Sequence, residues 1–183
     1  LSDLVGTTDV PRIFSGFSHL TGPDVAAPDP EAVTELVKGE RDSIVRVDGA
    51  TPECGGRVDG SGFFVTRDRV ITNAHVVAGV DSPVVFVGDG TQSLAATVVY
   101  FDPAKDIAVL AVSDATSRPL KLTDQLAEPG DDAVVAGYPL AGPFRQDPAR
   151  VRTSLTARGD DIYGAAGVDR EVYVLRGTVQ PGN

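Results

Sequence analysis

The 183-residue chain is 42% hydrophobic and 23% charged, and 16 Lys and Arg against 26 Asp and Glu leave a net charge of −10. That is the composition of a globular protein large enough to build a core without a structural metal or a disulfide. The acidic balance argues against a nucleic-acid partner, which needs Lys and Arg against phosphate, and against docking on an anionic membrane surface. No apolar run approaches the roughly 20 residues that span a bilayer. The start at Leu1 lacks the charged flank and apolar stretch of a signal peptide, so any targeting segment is expected to have been removed or to lie outside the chain.

Residues 1–42 read as an N-terminal arm followed by a short helix. Pro11, Pro23 and Pro28 break any periodicity in the arm. Ile13, Phe14, Phe17 and Leu20 are the residues expected to pin it to the body, and His19 among them reads as an arm residue without a role. Asp29-Pro30-Glu31 supplies an N-cap oxygen, a first-turn proline and a first-turn acid. Val33, Leu36 and Val37 then share one face, and the helix is expected to end near Gly39.

From Ser43 the texture changes to short Val- and Ile-rich runs between Gly, Asp and Pro. The runs are Ile44–Val47, Gly62–Val65, Val70–Thr72, Val84–Val87, Leu94–Phe101, Ile107–Val112, Ala133–Ala136, Val151–Ala157 and Glu171–Thr178. No helix is expected among them beyond one turn around Asn73–Ala78. Asp89-Gly90 is a hairpin signal. Closely spaced short strands point to an all-β antiparallel sandwich or barrel. The first six runs, within 43–118, would close one barrel. Residues 119–183 would hold a polar connection, Pro119 to Gly130, and the first three strands of a second barrel.

The chain has one Cys and two His, and neither C-x-x-C nor H-E-x-x-H spacing occurs, so no metal site is expected. Cys54 has two readings. A free cysteine is often a small buried hydrophobe. It can also be an odd cysteine whose disulfide partner lies outside the chain, and the surrounding Thr51-Pro52-Glu53 and Gly55-Gly56 suit a staple better than a core position.

Two residues stand out for chemistry. In Thr72-Asn73-Ala74-His75-Val76-Val77 a histidine comes after a strand, at the start of a helical turn. In Lys105-Asp106-Ile107-Ala108-Val109-Leu110 an aspartate heads an apolar strand. A carboxylate at the mouth of a buried run is costly unless it accepts good hydrogen bonds, and an imidazole Nδ1–H is a suitable donor. The plainer alternative is that Asp106 caps its strand while His75 satisfies a loop carbonyl.

These segments, together with Gly60-Ser61-Gly62-Phe63-Phe64-Val65 and the closing Thr178-Val179-Gln180-Pro181-Gly182-Asn183, resemble the chymotrypsin-like serine peptidases, in particular their bacterial trypsin-like and HtrA-type branch. The run Cys54 to Gly62 is similar to that of the actinobacterial membrane-anchored periplasmic serine proteases of acid resistance. The resemblance covers about residues 43–183. It implies a double six-stranded antiparallel β-barrel, the second barrel incomplete in this chain, and a serine endopeptidase acting on polypeptides by a Ser-His-Asp mechanism without metal or organic cofactor. It implies His75 as general base and Asp106 as the acid that orients it. It further implies Gly182 N–H as one oxyanion donor, Thr178 at the base of the S1 pocket, and a disulfide from Cys54 to a cysteine beyond the chain. The family's nucleophilic serine would be the residue after Asn183, so the remainder of the same protease is an expected partner. Ser61 and Ser154 sit in strand contexts that do not suit the role. An extracytoplasmic location, with any membrane tether in segments preceding Leu1, is implied by the same resemblance. A rival remains, in which the chain is a catalytically dead relative serving as a peptide-binding or structural module. A cysteine in place of the serine would make a cysteine-nucleophile variant of the same fold.

Overall fold

In the computed structural model the described residues are 22–31, 33, 37–51, 56–88 and 90–179. In the first lobe, buried and less buried side chains alternate along most of the strands. Its strands are β1 (Ile44–Thr51), β2 (Gly56–Phe64), β3 (Arg69–Thr72), β4 (Val84–Val87), β5 (Gln92–Asp102) and β6 (Ile107–Val112). They form a closed antiparallel barrel in the order β1-β2-β3-β6-β5-β4. The closing seam pairs β1 with β4, Val47 opposite Val85. Val45, Val47, Phe64, Val70, Val85, Ala108 and Leu110 point inward and have 0% exposure. Each of the larger ones contributes about 1.5–3 kcal/mol by leaving water.

Close approach inside the barrel depends on glycine at two β2 positions. A Cβ on Gly62 would lie 2.8 Å from the Ile71 carbonyl oxygen, and one on Gly60 would lie 2.6 Å from Val76 Cγ2. A hairpin does join β4 to β5 around Gly90, Asp89 itself lying outside the described residues: the strands pair out to Val87 and Gln92, and Thr91 N–H donates to the Gly88 carbonyl at 2.9 Å.

Residues 115–131 carry no strand or helix. Beyond them β7 (Asp132–Gly137), β8 (Arg145–Asp160) and β9 (Ala166–Gly177) form a three-stranded antiparallel sheet in that order. The all-β architecture with a closed first barrel and a partial second one is therefore observed. Several boundaries differ from the sequence reading: β1 runs on to Thr51, β2 starts at Gly56 and β9 starts at Ala166. β8 starts at Arg145, because Arg145–Ala149 pairs with β7 although it lacks apolar alternation. β9 ends at Gly177, so Thr178 lies just past the strand.

Polar contacts join the second lobe to the barrel and tie down the segment between them. Tyr138 N–H donates to Ser61 Oγ at 2.8 Å, Ser43 Oγ–H donates to the Arg118 carbonyl at 2.6 Å, and Leu120 N–H donates to the Phe64 carbonyl at 2.8 Å. Upstream, residues 30, 31 and 33 are helical, and the Asp29 carboxylate accepts the Glu31 N–H at 2.9 Å. A 3₁₀ turn at Arg41–Ser43, not anticipated, leads into β1. The end of the arm lies on the second sheet. Arg152 donates to the carbonyls of Gly22 and Pro23, each at 2.9 Å, and Arg176 donates to the Val25 carbonyl. The earlier arm residues, His19 included, and Leu36 fall outside the described residues. No helix among the described residues is long and apolar enough to cross a membrane.

Candidate active site

β3 and β6 are neighbours in the barrel, with Thr72 opposite Ala108. The end of β3 is therefore brought beside the start of β6. Directly after β3 comes a single helical turn, α1 (Ala74–Val77), which buries Ala74, Val76 and Val77 and leaves His75 partly exposed. Directly before β6 comes the turn after β5, ending in Asp106. Residues 31 apart in sequence thus meet for a topological reason.

Their contact is close and complete. His75 Nδ1 lies 2.8 Å from Asp106 Oδ2, and the His75 backbone N–H donates to Asp106 Oδ1 at 2.9 Å. Asn73 Nδ2 donates to Asp106 Oδ2 at 3.1 Å. The Asp106 side chain is 6% exposed and that of His75 29%. A buried carboxylate is tolerable here because three donors converge on it. A carboxylate only accepts, so the ring proton of a neutral His75 belongs on Nδ1, leaving the Nε2 lone pair free to take a proton.

The supporting turn is itself well tied. Lys105 N–H donates to Asp102 Oδ1 at 2.9 Å, and this bond, with lesser help from Tyr100, holds the Asp102 carboxyl below its ordinary pKa. The Asp102 charge in turn pushes the Tyr100 phenol up. From the second lobe, Ile162 N–H reaches the Pro103 carbonyl at 3.3 Å, so the β8–β9 turn touches the turn that carries Asp106.

Of the other residues named from the sequence, Thr178, Ser61 and Ser154 are among those described. Thr178 is exposed just beyond β9, in the second lobe. Ser61 is engaged as the acceptor for Tyr138, and Ser154 is exposed on β8. Gly182 and Cys54 lie outside the described residues. Asn73 received no role from the sequence; the signal available was an amide side chain two residues before the histidine, which reads first as a helix cap. Among the described residues no cluster of three or more His, Cys, Asp or Glu converges as a metal site.

A family model described as the trypsin-like peptidase domain matches residues 60–183. The chain belongs to the trypsin-like peptidase family. It is 40% identical over 185 aligned positions to the serine protease Rv3671c of Mycobacterium tuberculosis, covering 100% of this chain and 46% of that protein. The crystal structure of the active form of that M. tuberculosis protease superposes with a TM-score of 0.84 at 41% identity, covering 91% of this chain and 73% of the other. A probable DegP-like periplasmic serine endoprotease of Rhizobium meliloti is 36% identical over 113 residues, which is 58% of this chain and 21% of that protein. The chain thus spans less than half the length of the curated relatives named here.

Proposed function

We propose that this trypsin-like domain belongs to a serine endopeptidase in which His75 is the general base and Asp106 the acid that orients it. The observation that carries the reading is the two-point grip of one buried carboxylate on one histidine: Oδ2 at 2.8 Å from Nδ1 and Oδ1 at 2.9 Å from the backbone N. Two contacts fix both the position of the residue and the rotation of its ring. Such a pair lets Nε2 take a serine hydroxyl proton as Oγ bonds to the peptide carbonyl carbon, while Asp106 stabilises the imidazolium that forms. When the C–N bond breaks, Nε2 returns that proton to the leaving amine. Water then repeats the sequence on the acyl-enzyme and regenerates the serine.

The nucleophile we assign is a serine directly after Asn183. Gly182 N–H would supply one oxyanion donor, where a glycine lets the backbone approach the substrate without an intervening side chain. Thr178 would stand at the base of the S1 pocket, which excludes a charge-paired site for Lys or Arg at that position. Cys54 would be bridged to a cysteine in the remainder of the protein, in keeping with an extracytoplasmic, oxidising location. The likeness to a periplasmic DegP-like protease supports that location.

The test is kinetic, in the full-length protein. Asp106→Asn is expected to lower kcat by about 10⁴ through the wrong tautomer, and His75→Ala to lower it by several orders of magnitude, both with the fold retained. Near-normal turnover in either variant would reject the roles. A wild-type protein that binds peptides without cleaving them would favour the peptide-binding module instead.

A further inference from the structure

We propose that Asn73 is a positioning residue, whose side-chain amide locks both the backbone and the carboxylate of Asp106 so that Oδ2 stays aimed at His75 Nδ1. The inference rests on the reading of His75 and Asp106 as base and acid. It begins from an exchange of partners at the start of α1. Asn73 is the N-cap, with extended backbone at φ −72° and ψ 143°, yet its side chain makes no capping hydrogen bond. An asparagine there ordinarily turns its oxygen onto the N–H two or three residues on. The N–H two residues on belongs to His75, and it is taken by Asp106 Oδ1 at 2.9 Å. Asp106 therefore caps α1 from the turn before β6, which frees the Asn73 side chain for another use.

That use is double donation to one residue. Asn73 Nδ2 lies 3.1 Å from the Asp106 carbonyl oxygen and 3.1 Å from its Oδ2. Both targets are acceptors only, so the –NH₂ end of the amide must face them. The backbone bond matters because Asp106 has φ +58°, a left-handed conformation. A non-glycine residue holds such a conformation when its surroundings over-determine it, and such positions concentrate at functional sites. Released from Asn73, Asp106 would lose the donor on its backbone carbonyl. It would also lose the second donor on Oδ2, leaving the carboxylate freer to rotate away from Nδ1. Asn73 touches neither substrate nor Nε2 in this role; it acts through Asp106.

The test uses the full-length protein and the best-cleaved member of a fluorogenic peptide library, with Asp106→Asn measured alongside. Asn73→Ala is expected to lower kcat about 10- to 100-fold and to leave KM within about twofold, the scale for a hydrogen bond to a charged group. Asn73→Asp has the same shape but as a carboxylate cannot donate, and it is expected to fall at least as far. In both, the far-downfield proton resonance of His75 Nδ1 should broaden or move while circular dichroism stays native. Asn73→Ser keeps a donor and a capping group, so it is expected to fold and to recover part of kcat, which keeps the proposal testable if the other two fail to fold. Wild-type kcat and an unchanged resonance in Asn73→Asp, with Asp106→Asn impaired, would overturn the role of Asn73 alone. Wild-type kcat in Asp106→Asn would overturn the reading beneath it.

Discussion

The two lobes solve different problems with the same kind of strand. The first is a closed barrel that holds all of the fully buried large apolar side chains among the described residues, including Phe64, Leu110, Val45, Val47, Val70 and Val85. The second is a three-stranded sheet whose buried members are few and small, Gly137, Ala149, Val151 and Ala157, and whose last strand, β9, buries none of its residues. Tyr173 and Leu175 on β9 are 43% and 36% exposed. The His75–Asp106 pair sits in the first lobe, at the ends of two barrel strands that pair with each other. Thr178 stands at the end of the open sheet. On the proposed reading, the base and the carboxylate that orients it belong to the closed lobe, and the S1 position belongs to the open one.

The contrast can be broken by stability measurements. Leu110→Ala and Phe64→Ala should each cost about 3–5 kcal/mol, since each leaves a cavity in a core that cannot collapse around it. Denaturant unfolding followed by circular dichroism would show it, and a loss under about 1 kcal/mol would mean the barrel core is not what holds the site. Gly60→Ala should cost about 1–3 kcal/mol by forcing its Cβ against Val76. Because Val76 neighbours His75 in α1, that variant should also lose activity beyond its loss of stability. Arg152→Ala should cost about 0.5–1.5 kcal/mol through its bonds to Gly22 and Pro23. Limited proteolysis should then cut the arm faster while the barrel stays intact; unchanged cleavage would show that the arm is held by other contacts. Leu175→Ser on β9 should change stability by no more than about 0.5 kcal/mol. The smallest expected effect is on pH dependence. Asp102 has a lowered pKa in the folded protein, so its stabilising effect is present above its unfolded value and disappears as pH falls through the folded one. An NMR titration should place Asp102 below an ordinary aspartate, and a normal or raised midpoint would show that the Lys105 N–H does not hold it.

The barrel was legible because its inward residues alternate: Val45 and Val47 on β1, and Ala108, Leu110 and Val112 on β6, repeat with the period of a strand. The start of β8 was not, because Arg145-Gln146-Asp147-Pro148 has no apolar partner pattern and is ordered by pairing with β7. His75 and Asp106 were legible as individual oddities, a histidine after one strand and an acid before another, and the motifs of a known family joined them. Asn73 was hidden by its position, since an asparagine before a helical turn already has a local explanation. Only the folded chain shows that Asp106 has taken over the cap. The strap of residues 22–25 on β8 and β9 could not be read at all. It runs largely from arginine side chains to backbone carbonyls, which every residue possesses.

The central claim is that His75, oriented by Asp106, activates a serine directly after Asn183. Labelling the full-length protein with a serine-directed phosphonate and mapping the adduct by mass spectrometry tests it most directly. The adduct is expected on that serine at a rate that falls by orders of magnitude in His75→Ala. An adduct on Ser61, Ser154 or another residue, or labelling that proceeds equally fast without His75, would contradict it.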